Sequence, residues 1–430
     1  MATTIVNARV FDGDTARPWT SVRFSDGLIT DCSSVAVASD GDEVVDARGG
    51  TVFPGLIDAH VHLVAGALQQ SSTFGVTTVL DMFSQPREVA AAKESAGSRT
   101  DVADLRSSGI GATAPGGHPS AMYAPMPTIA RPEQAEAFVA ERVAAGADYL
   151  KIISGAGSRW PSLDADTVRA LVVAAHNHGV IAVGHVSSVA GLDQVVAAGI
   201  DVVAHVPFDA EIDAALVERI AAARIAVGPT LATAENTLGE DGGAALLADP
   251  RLAGLLGERA HQAALGSRGN GPGGRLLPPY SRAEHNVRLL AEAGVTLLAG
   301  TDAPNPGTVF GASLHRELEL LVRAGVTPIR ALAAATGEPA RVFGLADRGR
   351  VAVGLRADLV LVAGDPLADI TATRSMERIW RGGISVDRRP FAPTRAEADE
   401  LAAFDTRVAA VVAVVRGLRT PPGSRAVGLA

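Results

Sequence analysis

The chain has a single cysteine in 430 residues, Cys32, which excludes an internal disulfide framework and any cysteine-based metal site. Aromatics are scarce, at 4% of residues, so the core must rest on aliphatic side chains in short, tightly packed units. There is no basic run. Acids and bases are interspersed and the net charge is −9, which argues against nucleic acid or an anionic membrane as a partner. No apolar stretch approaches the ~20 residues of a membrane span. The opening MATTIVNARVFDGD lacks a basic segment followed by an apolar one, so no signal peptide is read there. These absences lead to the expectation of a soluble, cytoplasmic protein acting on a small molecule.

What is present is alternation. Residues 2–54 read as short strands separated by turns, with Asp-Gly at 12–13 and 26–27 and Gly-Gly at 49–50. From about 56 to 348 the pattern becomes apolar strand, loop, helix. Strands are expected over 56–62, 76–81, 108–112, 147–153, 179–185, 200–206, 224–228 and 295–301, nearly all apolar, as parallel strands covered on both faces are. Helices are expected over 132–145, 164–178, 187–198, 211–223, 281–294 and 311–324, with Asp164 opening one and Ser281 and Glu284 forming a capping box at another. Eight such units predict an α/β fold, a (β/α)8 TIM barrel. A doubly wound sheet competes, but no G-x-G-x-x-G follows the first strand.

After the barrel, strands return, and pairing with the N-terminal strands would give a small β-sandwich built from both chain ends. The expected domains are therefore 1–54 with 349–393, the barrel at 55–348, and a C-terminal helix and tail at 394–430. In that helix Leu401, Phe404, Val408, Val411, Val415 and Leu418 recur at three and four, one apolar stripe that must pack on the barrel or on another subunit. A homo-oligomer is expected.

The chemistry gathers at strand ends, where such a barrel carries its active site. In TVFPGLIDAHVH, His60 and His62 share one face of a strand, a metal-ligand arrangement that two ordinary strand-end histidines would also produce. Lys151 sits among apolar neighbours in DYLKIIS. Burial would lower its pKa, and a neutral amine can react with CO2 to give a carbamate able to bridge two cations. Alternatively it snorkels to the rim or pairs with an acid. His185 and His205 end successive strands, and Asp302 ends the last strand, beside the first in a closed barrel.

PGLIDAHVHL (54–63), YLKI (149–152), the strand-end His185 and His205, and AGTDA (299–303) resemble the amidohydrolase superfamily. GVTPIRALAAATGEPARVFGL (325–345) and VAVGLRADLVLVAGDPLADI (351–370) are most similar to its imidazolonepropionase and prolidase-like branch. The resemblance covers roughly residues 3–387 and implies a binuclear metal centre. By position, His60 and His62 with Asp302 would hold one metal, His185 and His205 the other, with carboxylated Lys151 bridging. Zinc is the first choice, and Co, Mn or Fe suit the same imidazole and carboxylate ligands.

A hydroxide between the metals would then attack a carbonyl, with Asp302 moving the proton to the leaving group. The expected reaction is hydrolysis of an amide C–N bond in an N-acyl amino acid or dipeptide. A lactonase or phosphotriesterase-like esterase is the alternative, and a non-catalytic scaffold a further one. His118, in APGGHPSAMYAP, would bind the carbonyl oxygen or a substrate carboxylate. Tyr123, Arg159, Trp160 and Phe208 follow strand ends and would line an apolar pocket, or merely pack loops. Residues 236–280 read as a long Gly- and Pro-rich excursion, either disordered or a lid that Tyr280 or Arg275 would close. His176, His178, His261, His285 and His315 are assigned to no site.

Overall fold

The apolar runs of the middle of the chain form two parallel sheets. The computed structural model describes residues 2–35, 38–120, 126–158, 160–266 and 278–415. One sheet has the order Asp104–Ser107, Val76–Asp81, Leu56–Val61, and the other runs Leu150–Ile153, Ala182–His185, Val202–Ala204, Ala226–Gly228. Leu56–Val61 and Val76–Asp81 are buried along their whole length, their polar residues Asp58, His60, Thr77, Thr78 and Asp81 included, as parallel strands covered on both faces are. Single parallel bridges link the sheets and what lies between them: Ala112 to Ile152, Val227 to Leu297, and Val61 to Ala303. The pairings therefore return to the strand on which they begin.

Two expected strands are shifted or thinned. The third is Asp104–Ser107 rather than 108–112, because Gly109 takes a left-handed φ of 59° and breaks the extended run. Over 295–301 the backbone is bonded on both sides, Val227 N to Thr296 O at 2.9 Å and Ala59 N to Ala299 O at 2.9 Å, but makes only isolated bridges. There the chain runs tight against the first strand: a Cβ on Gly300 would fall 2.8 Å from His60 Cβ.

Helices fall between the strands with local reasons for their starts. Asp164, Ser188 and Asp213 each accept a backbone N–H three residues on, from Thr167, Gly191 and Leu216. The expected capping box at Ser281 does not form; that helix, Ser281–Glu292, has no side-chain cap, and Glu284 instead pairs with Arg323 at 2.8 Å. As far as residue 266 the 236–280 excursion is largely helical. Helices Leu231–Thr237, Gly242–Ala248, Pro250–Ala253 and Glu258–Ala264 occupy it up to residue 266, their Ala and Leu spacing masked in the sequence by the glycines around them. Tyr280 is buried under the Arg323 guanidinium, not poised over a mouth.

Strands from the two chain ends meet in one sheet. Leu359–Val362 pairs antiparallel with Thr51–Pro54 on one side and Met376–Arg381 on the other. A second sheet of N-terminal strands lies with it around Ile5, Phe24, Val52, Leu359 and Trp380. Helix Arg395–Val415 closes the described chain, with Leu401 and Phe404 buried. These two are covered within the chain itself; the side chains of 411–415, and all of Leu418, lie outside what is described. Among the described residues no helix is long and apolar enough to cross a membrane.

Candidate metal centre

His60 lies in strand Leu56–Val61 and His62 follows it, and the pleat turns both toward Asp302. His60 Nε2 and His62 Nε2 lie 3.4 and 3.0 Å from Asp302 Oδ1. Ligand atoms of all three residues fall within 4.8 Å of one another, close enough to share one ion. The His205 ring stands 4.7 Å from that of His60 and 4.5 Å from that of His185, and His185 stands 5.6 Å from His118. Lys151 comes from the neighbouring strand, Leu150–Ile153. All seven side chains line one cavity of about 130 Å³.

Burial sets the protonation of this group. It holds His60 and His185 well below the ordinary imidazole value and brings His118 and His205 down to about 4, so these four imidazoles are neutral. Burial would raise Asp302, but the hydrogen bond with His62 and the nearby nitrogen groups of His205 and Lys151 leave it below the usual carboxylate range. Burial takes the Lys151 amine down to about 7. That amine is 2% exposed, and its Nζ has no hydrogen-bond partner among the described residues. An orphaned buried amine costs stability. Neutral imidazoles, an ionised carboxylate and an amine without a partner form a donor set that fits divalent cations.

Several supporting residues were not singled out in the sequence. Asp58, fully buried two residues before His60, accepts from His60 N at 3.2 Å, Thr301 N at 3.0 Å and Thr301 Oγ1 at 2.7 Å. It thereby clamps the first strand to the residue before Asp302. Asp81 receives Leu63 N and the Ser84 and Ser107 hydroxyls, fixing the turn beyond His62. Thr230 Oγ1 lies 2.7 Å from His205 Nδ1 and donates its own proton to Pro229 O, so it accepts from Nδ1–H. This tautomer leaves His205 Nε2 with a free lone pair, the form a metal-binding imidazole takes. The buried carboxylate of Glu317 receives Leu231 N and Ala232 N and so anchors the turn that carries Thr230. The available signals were acids inside apolar runs, rare unless they serve a purpose. His205 and Asp302 both hold positive φ, 73° and 55°, a strained backbone that such clamps sustain.

Other expected residues fare differently. Trp160 places its ring 6.1 Å from His118 but does not line the cavity, and Phe208 packs half-buried against the main core, away from it. Phe208 follows His205, but the chain turns there. Tyr123, Arg159 and Arg275 lie outside the described residues. The five unassigned histidines do sit elsewhere: His176, His178 and His285 pair with Asp201, Glu136 and Glu211, His261 meets Ala253 O, and His315 is buried between Thr373 and Phe74. Among the contributors to the cavity not foreseen as lining are Phe404 and Val408 of the C-terminal helix.

An α/β chain with two histidines and an aspartate converging from the first and last parallel segments has the frame of a metal-dependent enzyme. Residues 51–383 match the Amidohydrolase family, and the chain belongs to it. An imidazolonepropionase of Deinococcus deserti is 38% identical over 103 residues, 23% of this chain and 26% of that protein. The chain thus spans about a quarter of the length of the curated relatives it matches first. Among solved structures, a Xaa-Pro dipeptidase with bound methionine in the active site superposes with a TM-score of 0.72 at 21% identity, covering 90% of this chain and all of that one. Molinate hydrolase gives 0.71 at 22% identity, over 91% of this chain and 96% of that one. These likenesses establish a shared fold.

Proposed function

We propose that this chain is a metal-dependent hydrolase that cleaves an amide C–N bond of a small molecule such as an N-acyl amino acid or dipeptide. The observation that carries the reading is the convergence of His60, His62, His185, His205 and Asp302 on one cavity around the unpartnered, buried Lys151 amine. Family membership supports the reaction class, and the named activities of the relatives, an imidazolonepropionase and a dipeptidase, agree with it. The ring of parallel pairings and bridges supports a (β/α)8 barrel over 55–348, and the shared sheet supports one small β-domain from 1–54 and 349–393.

In this reading His60, His62 and Asp302 would hold one divalent ion and His185 and His205 a second, zinc being well suited to both. Lys151 Nζ would bond to the carbon of CO2 and release a proton, leaving a carbamate that would add an anionic oxygen donor to the set. Bound there, the ions would supply Lewis acidity and bring the pKa of a water to about 7. Asp302, ionised and beside His62, would take the proton of the attacking water at a carboxylate oxygen and deliver it to the leaving nitrogen. His118, neutral and held by the bond from Thr113 Oγ1 to its own carbonyl, would orient the substrate oxygen.

The test is metal analysis of the purified chain followed by parallel assays on amide and lactone panels. Close to two equivalents of metal and chelator-sensitive amide turnover are expected. Turnover of lactones alone would transfer the reading to an esterase, and a chain that binds no divalent ion would end it.

A further inference from the structure

The C-terminal helix Arg395–Val415 lies beyond the residues that match the family, which end at 383, yet it reaches the catalytic cavity. Phe404, 8% exposed, and Val408, one turn on, form part of its wall. On their far side is a second cavity of about 290 Å³, bordered by apolar groups including Ala260, Val309 and Phe310. Pro304, Pro306, Phe404 and Val408 border both spaces. The prolines belong to the stretch after Asp302, so the partition consists of that stretch and two side chains from the helix. The helix turn is held in place: Arg259 binds Asp405 through two hydrogen bonds, one of 2.6 Å between Nη2 and Oδ1.

The inner cavity is small. A volume of about 130 Å³ is slightly less than that of an engineered cavity, about 150 Å³, that admits benzene. We propose that Phe404 and Val408 determine specificity by capping the length of the apolar group next to the scissile bond. The substrate class is then a small-molecule amide with a short apolar substituent, and removal of the cap joins the inner cavity to the outer one. This rests on the metal-dependent hydrolase reading, and it adds a length limit that the metal ligands do not impose. The metal-binding residues lie within the family match, whereas the cap belongs to the helix outside it.

The probe is a series of straight-chain hydroxamates from acetyl to octanoyl, titrated by calorimetry into the zinc-loaded full-length chain. The head group would anchor at the metal site while the tail tests the wall. For the wild type, affinity should fall roughly tenfold or more between butyryl and octanoyl, since a methylene without space in a pocket is heavily penalised. Phe404→Ala should abolish that fall and favour octanoyl over acetyl by roughly tenfold. Val408→Ala should shift the profile the same way by less, and it carries the test if Phe404→Ala does not fold. Zinc-dependent binding with the same tail-length profile in wild type and both variants would overturn this inference alone. Absence of any zinc-dependent binding of the acetyl compound would overturn the hydrolase reading and this inference with it.

Discussion

Arg348 and Lys151 are both basic side chains shut away from solvent, 5% and 2% exposed, yet their surroundings differ. Arg348 makes paired bonds to Asp347 at 2.8 and 3.0 Å, reaches Thr78 Oγ1 at 3.1 Å and binds Asp104. Its carboxylate partners hold their protons loosely, Asp347 and Asp104 both lying below the usual range. Lys151 Nζ has no hydrogen-bond partner among the described residues. One region closes its charges within the chain, and the other leaves an amine, five imidazoles and one carboxylate facing a cavity. A fold that can satisfy a buried guanidinium so fully has evidently not run out of acids. The open set around Lys151 is therefore read as completed by something bound.

The largest effect should come from breaking chemistry without breaking the open set. Asp302→Asn keeps the size of the side chain and can still present an oxygen, but cannot take a proton. Loss of general acid–base catalysis predicts a fall in kcat of ~10²–10⁴. Metal content should change much less, whereas His60→Ala should lose metal first. Steady-state kinetics beside metal analysis separates the two; near-normal turnover of Asp302→Asn with metal retained would reduce Asp302 to a ligand.

Next, the two bases should respond in opposite directions when made apolar in the metal-free chain. Arg348→Met takes from Asp104 its most buried cationic partner, leaving it Arg356 at 3.2 Å, and removal of one member of a buried ion pair costs up to about 3 kcal/mol. Lys151→Met removes an amine that has no partner to strand, so about 1–3 kcal/mol should be gained. Urea unfolding of both variants reads the signs directly. A Lys151→Met chain as destabilised as Arg348→Met would mean that the amine is answered in the fold after all. With metal restored, Lys151→Met should bind it poorly while Arg348→Met binds it normally.

The open region was also the legible one. Polar residues that interrupt apolar strands at their ends stand out in a sequence, which is why His60, His62, Lys151, His185, His205 and Asp302 were all named and are all found around one cavity. The supports were less visible. Asp58 and Glu317 act on backbone N–H groups of segments 243 and 86 positions away in the chain, at Thr301 and Leu231. No local pattern encodes such pairings. The stripe on the last helix told that Leu401 and Phe404 would be buried, but not against what, since docking is decided by the surface that receives it. Within 236–266 the expected excursion misled because the composition around it outweighed the helical spacing inside it. At Gly109 a left-handed turn overrode the apolar run that suggested a strand.

The smallest effect concerns a histidine on the closed side of the comparison. His315 is as buried as the cavity histidines, but Nδ1 meets Thr373 Oγ1 at 3.0 Å and Nε2 meets Phe74 O at 2.9 Å. Burial first, and then Arg374 and Arg388, bring it down to about 3 against the bond to Phe74. Its folded value thus lies below the unfolded one of about 6.5. Between these values the unfolded chain binds a proton that the folded chain refuses, so stability rises with pH across the window and is lost as pH falls from about 6.5 toward 3. His315→Gln can keep both contacts and does not titrate. Relative to that variant, the wild type should lose about 2 kcal/mol between pH 7 and about pH 5, the ceiling set by 1.36 kcal/mol per pKa unit. Urea melts of the pair across this range, with the metal state held constant, give the difference. A difference that stays flat would show that His315 keeps an ordinary pKa, and that its two contacts accommodate the protonated ring as well as the neutral one.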